Sequence, residues 1–192
     1  MANELKQARG KLEQSTVKKY ELLTNDTIEL GGGITLFRIK ALISFGNVEK
    51  GELGGYVEKE DNLCHSGNAW VTGNAKVYGN ARVYSNADVS GNAKVYDNAL
   101  VSGYAKVTDN ARVYSNARVF GDAKVYDNAK VTDNALVYGN AKVYGDARVT
   151  DNAWVTGNAK VTGNAEVTSI AWVTGNAKVT GNAKVSGGEL LN

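Results

Sequence analysis

From Ala69 to Val185 the chain repeats one phrase, Ala-x-Val followed by three residues, twenty times without an insertion or deletion. A period of six excludes an amphipathic helix, because it throws successive valines to opposite sides of a 3.6-residue turn. A short strand accommodates it: Ala and Val point to one face and the residue between them to the other. The three residues after each Val run Tyr/Thr/Ser, then Gly/Asp/Ser, then nearly always Asn or Asp, which suits a corner. The third of these is expected to take the left-handed backbone conformation, which Asn tolerates better than most side chains. Bends repeated at one angle wind the chain into a prism. Three hexads, eighteen residues, close one triangular coil, with Ala and Val stacked inside and each strand paired in parallel with the one a coil above. Twenty hexads make between six and seven coils.

The pairing of an aliphatic residue with a small one four positions later (Val71 then Ala75, Val77 then Ala81, and onward) resembles the hexapeptide-repeat left-handed β-helix. The resemblance covers about two thirds of the chain. It implies an all-β fold: a left-handed parallel β-helix of hexapeptide repeats, eighteen residues per triangular coil, with an N-terminal strand-rich cap. Left-handedness departs from the usual right-handed crossover and comes from the resemblance alone. The chain divides into a polar N-terminal segment (1–16), an N-terminal β cap (17–56), the β-helix (57–186) and a C-terminal cap (187–192). Open ends of a solenoid need covering. "KKYELL", "TIEL" and "ITLFRIKAL" read as short strands, with Gly31–Gly33 as a hairpin turn between the last two. Residues 1–16 are expected to be helical or loose, and Leu190 and Leu191 to fold over the last coil.

Between cap and repeat, "VEKEDNLCHSGN" keeps the six-residue frame but changes its core letters. In that frame Val57 and Leu63 take Ala slots, while Lys59 and His65 take inward Val slots, as a degenerate first coil. The run Gly54, Gly55, Tyr56, Val57, Glu58, followed by Asn62 and Leu63, is similar to YdcK-like hexapeptide proteins of bacteria and phages. Such proteins share a fold with acyltransferases, which implies an active or degenerate acyltransferase as one alternative. Fold carries little mechanistic weight, however. The hexapeptide acyltransferases need a general base, commonly His, and loops that protrude from the coils. Here the frame admits no loop from 69 to 185, and His65 is the sole histidine. A Cys64/His65 metal site is poor, because neighbours on a strand point to opposite faces. No catalytic residue, metal site or cofactor is assigned.

The middle residues of the triplets sort into three outward faces. One reads Trp70, Asp88, Lys106, Lys124, Lys142, Lys160, Lys178; the next Lys76, Lys94, Arg112, Lys130, Arg148, Glu166, Lys184. The third reads Arg82, Leu100, Arg118, Leu136, Trp154, Trp172, and only there do large apolar residues recur on a surface turned away from the core. Arg with Trp is a common interface pairing, so this face is the expected contact with other subunits or a ligand, with Trp154 and Trp172 as anchors. The resemblance implies a parallel homotrimer. The lysines from Lys106 to Lys178 are candidate anion contacts, and an anion or nucleic-acid binder is the other alternative. Acids at the corners, such as Asp97, Asp127 and Asp151, and the lack of aromatics between those lysines weigh against nucleic acid. A net charge of +2 does not argue for it either.

The corner residues carry their own pattern. Tyr78, Tyr96 and Tyr114 should stack along one edge that Thr132, Thr150 and Thr168 continue. Tyr104 and Ile170 stand where Asn belongs, and Ile170 in a left-handed conformation would be strained, so its corner is expected to differ. Cys64 is the single cysteine, which excludes an intrachain disulfide. No stretch resembles a signal peptide or a membrane span. The expectation is a non-enzymatic scaffold or binding protein of bacterial or phage type, acting on a host protein or small anionic ligand in the cytoplasm of the bacterial host cell, away from membranes.

Overall fold

The computed structural model describes residues 17–190. The expectations for residues 1–16 and for Leu191 lie outside them. Every Ala-x-Val triplet forms a two-residue strand, from Trp70–Val71 to Lys184–Val185. These stack into three parallel sheets in which each middle residue pairs with the one eighteen positions on, as Lys106 with Lys124 and Arg118 with Leu136. The fold is an all-β parallel solenoid of about eight coils with a strand-rich N-terminal region. The repeat count of six to seven omits the coil portions that flank the regular hexads. Ala and Val from 69 to 177 are closed off from solvent, so one apolar column runs through the prism.

The corners turn on a different residue from the one expected. From 73 to 181, positive φ falls on the second residue after each Val, on glycines such as Gly103 (φ 69) and on Asp and Ser such as Asp127 (φ 58) and Ser169 (φ 58). Stacking explains why Asp serves there. Asp127 Oδ2 accepts the N–H of Gly145, the same corner one coil on, at 3.0 Å, and Asp151 Oδ2 accepts that of Ser169 at 2.9 Å. The Asn residues form side-chain ladders instead, as Asn98 to Asn116 and Asn116 to Asn134, each 3.2 Å. Ile170 therefore escapes the strain expected of it, because Ser169 carries the positive φ; Ile170 only interrupts a ladder. The Tyr edge is as expected, with Tyr78, Tyr96 and Tyr114 stacked at 5.0 and 4.9 Å and Thr150 donating to Thr168 at 3.1 Å.

The cap is a hairpin that continues one solenoid sheet. Strand β1 (Tyr20–Leu30) is antiparallel to β2 (Ile34–Ala41), and β2 to β3 (Leu53–Val57), which pairs in parallel with Lys76–Val77. The segments "KKYELL" and "TIEL" are thus not two strands but one, bulged between Leu23 and Thr27. The turn falls on Gly31–Gly33 as expected, with positive φ at Gly32 and Gly33. The first coil does not keep the eighteen-residue frame. Val57 pairs with Val77 and Leu63 with Val83, both twenty positions on, whereas Trp70 already pairs with Asp88 at the regular eighteen. Two extra residues lie between Leu63 and Gly67. Val57 and Leu63 consequently occupy Val slots, and His65 sits on the inserted corner rather than in an inward slot.

Direction of hydrogen bonding explains what the cap must supply. At strand ends and corners the earlier coil donates N–H and the later coil offers C=O, as Lys106 to Ala123 and Asn128 to Gly145. The N-terminal end of the prism is therefore rich in unpaired carbonyls, which must be satisfied if buried. Lys19 Nζ donates to Ala69 O at 2.8 Å, the Tyr20 hydroxyl lies between Leu63 O (2.8 Å) and Glu60 O (2.9 Å), and Arg38 donates to Gly54 O at 2.9 Å. Trp70, read as an outward residue of the first face, is instead buried beneath this cap, edge-on to Phe45 and Tyr20. At the other end Leu190 does not fold over the coil. It pairs with Val173 as one more rung of the third sheet.

Gly54 and Gly55 seat the hairpin. A Cβ on Gly54 would lie 2.5 Å from Ile39 Cγ1 and 2.6 Å from Val71 O, a backbone atom that cannot turn aside. Gly54→Ala is expected to cost about 1–3 kcal/mol through overpacking at this seam. The loss should appear as faster proteolysis within residues 17–52, with digestion beyond residue 90 unchanged.

Candidate functional site

The third face is contiguous. Arg82, Leu100, Arg118, Leu136, Trp154 and Trp172 occupy successive strands of one seven-stranded sheet, all on its outward side. Arg82, Arg118 and Trp172 are exposed, while Leu100, Leu136 and Trp154 are half-buried by their neighbours. Trp154 and Trp172 stack with ring centroids 4.7 Å apart and planes 3° from parallel. The adjoining corner column adds aromatics that the face-by-face reading missed. Phe120 stacks on Tyr138 at 4.9 Å, and Tyr138 meets Trp154 edge-on at 6.4 Å. On the opposite border Ile170 is 68% exposed and Trp172 43%. The apolar part of the face is therefore wider than one column, and it lies toward the C-terminal end, with the two arginines toward the cap. Offsets of eighteen in the corner letters would have revealed the added aromatics.

Lys106, Lys124, Lys142, Lys160 and Lys178 form the expected ladder on another sheet, paired rung to rung. Among the described residues none of these five closes an ion pair, and the corner acids instead accept backbone amides of the next coil. Among the described residues the one ion pair of a face cation is Lys184 with Glu166, at 3.0 Å, on the neighbouring sheet.

A cleft of about 600 Å³ opens where the inserted corner meets the head of the third face. Arg82 and Leu100 line it together with Glu60, Asp61, Cys64 and His65. His65 Nδ1 accepts the backbone N–H of Lys19 at 3.1 Å, its ring stacks on Tyr20 at 4.4 Å, and Nε2 lies 3.7 Å from Glu60. Burial holds the imidazole below its ordinary pKa, against the pull of Glu60. With the Nδ1 lone pair committed to an amide, His65 is a wedge between cap and solenoid and has no base to offer the cleft there. The Cys64 thiol lies 3.0 Å from Ser66 Oγ. Burial pushes it up, but hydrogen bonds with Ser66 and the charge of Lys19 outweigh this and leave it below the usual thiol value. The Lys18 ammonium, 2.5 Å away, holds Glu60 below the ordinary carboxylate range. Among the described residues no three His, Cys, Asp or Glu side chains converge as a metal site, and no helix is long and apolar enough to cross a membrane.

A family model described as "YdcK Beta solenoid repeat" matches residues 141–157, just under one coil. No curated protein matches the chain.

Proposed function

We propose that the chain is a YdcK-like hexapeptide protein of bacterial or phage type, a non-enzymatic scaffold whose third face binds further copies of itself. The observation that carries this reading is the Trp154–Trp172 stack, with Trp172 and Ile170 open to solvent beside it. Stacked indoles and an isoleucine on a soluble surface form the kind of desolvated anchor that interfaces are built around, and Arg82 and Arg118 supply a polar margin. The hexapeptide resemblance favours three copies arranged in parallel around this face, and the cytoplasm of a bacterial host cell as the setting. A host component would then be held by the assembled oligomer rather than by one prism. The family match to residues 141–157 supports the assignment through the repeat itself.

Native mass spectrometry of the purified chain tests this. The wild type should fly as an oligomer, and Trp154→Lys with Trp172→Lys should give monomer with an unchanged circular dichroism spectrum. Loss of two such anchors is expected to weaken association by about 4 kcal/mol or more, roughly a thousandfold. A monomeric wild type, or an oligomer that survives both substitutions, would sink the reading.

A further inference from the structure

A regular hexad leaves little to distinguish one coil from another, so departures that gather in one place mark a position where sequence serves something besides the fold. Three such departures meet under the cap. In the first face Trp70 and Asp88 replace the usual basic residue, and in the following corners Tyr104 replaces Asn. All three line a groove of about 530 Å³ whose other wall is the loop between β2 and β3, with Asn47 and Glu52. Trp70 pairs with Asp88 and Asp88 with Lys106, so they form consecutive rungs of its floor. Tyr104 stands at its edge, 64% exposed.

Three polar side chains of this groove, those of Trp70, Asn68 and Asn86, lack the partners their kind has elsewhere among the described residues. Trp70 is 5% exposed, yet its indole N–H has no acceptor among the described residues. Buried donors of this kind are nearly always paired. Asn68 and Asn86 also line the groove and belong to the corner column that Tyr104 interrupts. Elsewhere the column amides bond coil to coil, but among the described residues neither of these side chains makes a ladder bond, and laddering in this column resumes only at Asn140 with Asn158. Burial raises the Asp88 carboxyl above its ordinary value against the charge of Lys106 and a hydrogen bond with Ser90.

Two carboxylates, Asp88 and Glu52, against one ammonium, Lys106, leave no surplus to favour an anion, and no metal-binding cluster forms among the described residues. What remains is an exposed aromatic ring, an indole in the floor, unladdered amides and a carboxylate, in a groove within the size range of small-molecule sites. An aromatic ring takes the C–H face of a ligand while amides and carboxylates take its hydroxyls. We propose that this groove binds a neutral saccharide of one or two rings, with Tyr104 stacked on a sugar face, the Trp70 ring as part of its floor, and Asn68, Asn86 and Asp88 holding its hydroxyls. This site is separate from the third face and does not depend on self-association.

The three tryptophans allow a direct test, because each gives one indole signal in an ¹H–¹⁵N correlation spectrum, assigned for Trp70 with Trp70→Phe. Glucose, galactose, mannose and N-acetylglucosamine are titrated separately into the full chain through the millimolar range. At least one should shift the Trp70 signal saturably while leaving those of Trp154 and Trp172 in place. Asp88→Lys and Tyr104→Asn restore the repeat letters, so the fold is retained, and each should weaken binding about tenfold or more. Asp146→Asn, the same kind of restoration at a distant corner, should leave the affinity unchanged. The proposal is overturned if none of the four sugars shifts the signal, if both restorations bind as tightly as wild type, or if inorganic phosphate shifts the Trp70 signal where sugars do not.

Discussion

Val125→Asp should unravel the middle of the solenoid, whereas Lys124→Asp, one residue away, should be almost silent. Val125 is fully buried and stacked between Val107 and Val143 in the same sheet. Its replacement removes about 1.5–3 kcal/mol of apolar burial. It also strands a carboxyl group among alanines and valines with no donor nearby, a further penalty of several kcal/mol. The total, about 4–5 kcal/mol or more, places it among the severe core substitutions. Lys124 projects to solvent from the opposite side of the same strand, so its replacement should stay within about 0.5 kcal/mol. Coils interact mainly with their nearest neighbours, which localises the damage. Amide exchange should accelerate across residues 107–143 while the cap amides keep their protection. Equal effects from the two substitutions would contradict the inward–outward alternation on which the fold rests.

Lys19→Ala should release the cap. Lys19 is 1% exposed, donates to Ala69 O and, at 3.4 Å, to Gly67 O, and lies 4.7 Å from the centre of the Phe45 ring. Truncation leaves two carbonyls without a donor and a cavity beside Phe45, and should cost about 2–4 kcal/mol. The cap should then be cut by protease while the coils remain intact. Its pH dependence has a defined sign. Burial lowers the Lys19 ammonium from 10.5 to about 8, so between those values the unfolded chain holds the proton more tightly than the folded one. Cap stability therefore rises with pH across this window, by roughly 2–3 kcal/mol between pH 8 and 10. Burial raises the Tyr20 phenol above its ordinary value of 10, which gives the opposite slope at higher pH. Urea midpoints of cap unfolding should peak near pH 10, and Lys19→Met should flatten the rise that precedes the peak. A wild-type midpoint that falls from pH 8 to 10 would contradict the burial of this charge.

The repeat was legible because each of its letters answers to a local requirement. Val125 and Lys124 could be assigned to opposite faces from a period of two, and the faces themselves followed from offsets of eighteen. Corners were harder. Asn and Gly/Asp/Ser both favour turns, and only stacking shows that an Asp at the second position can accept the amide of the next coil while Asn forms the ladder. At the junction the reading failed for a different reason. "VEKEDNLCHSGN" has a length divisible into the hexad frame, so nothing in its letters announces that Leu63 sits over Val83 and that His65 is carried on an inserted corner.

The candidate sites divide in the same way. The third-face column could be written from the sequence, since Arg82 to Trp172 are spaced at eighteen. Phe120 and Tyr138 are spaced at eighteen as well, and the structure adds that they border this face on one side and Ile170 on the other. The groove beneath the cap was not legible at all. Trp70 and Asp88 stood in the sequence only as members of the first face and Tyr104 as a corner exception, and nothing joined them until the loop between β2 and β3 was seen to close over them.

By itself the sequence determined the eighteen-residue coil, its core and the column to which each middle residue belongs, because these depend on side-chain alternation and a fixed period of six. The tertiary structure alone decided how the end is sealed and where the irregular residues meet. Those outcomes depend on contacts between segments some fifty residues apart, such as Lys19 with Ala69, for which a linear pattern carries no signal.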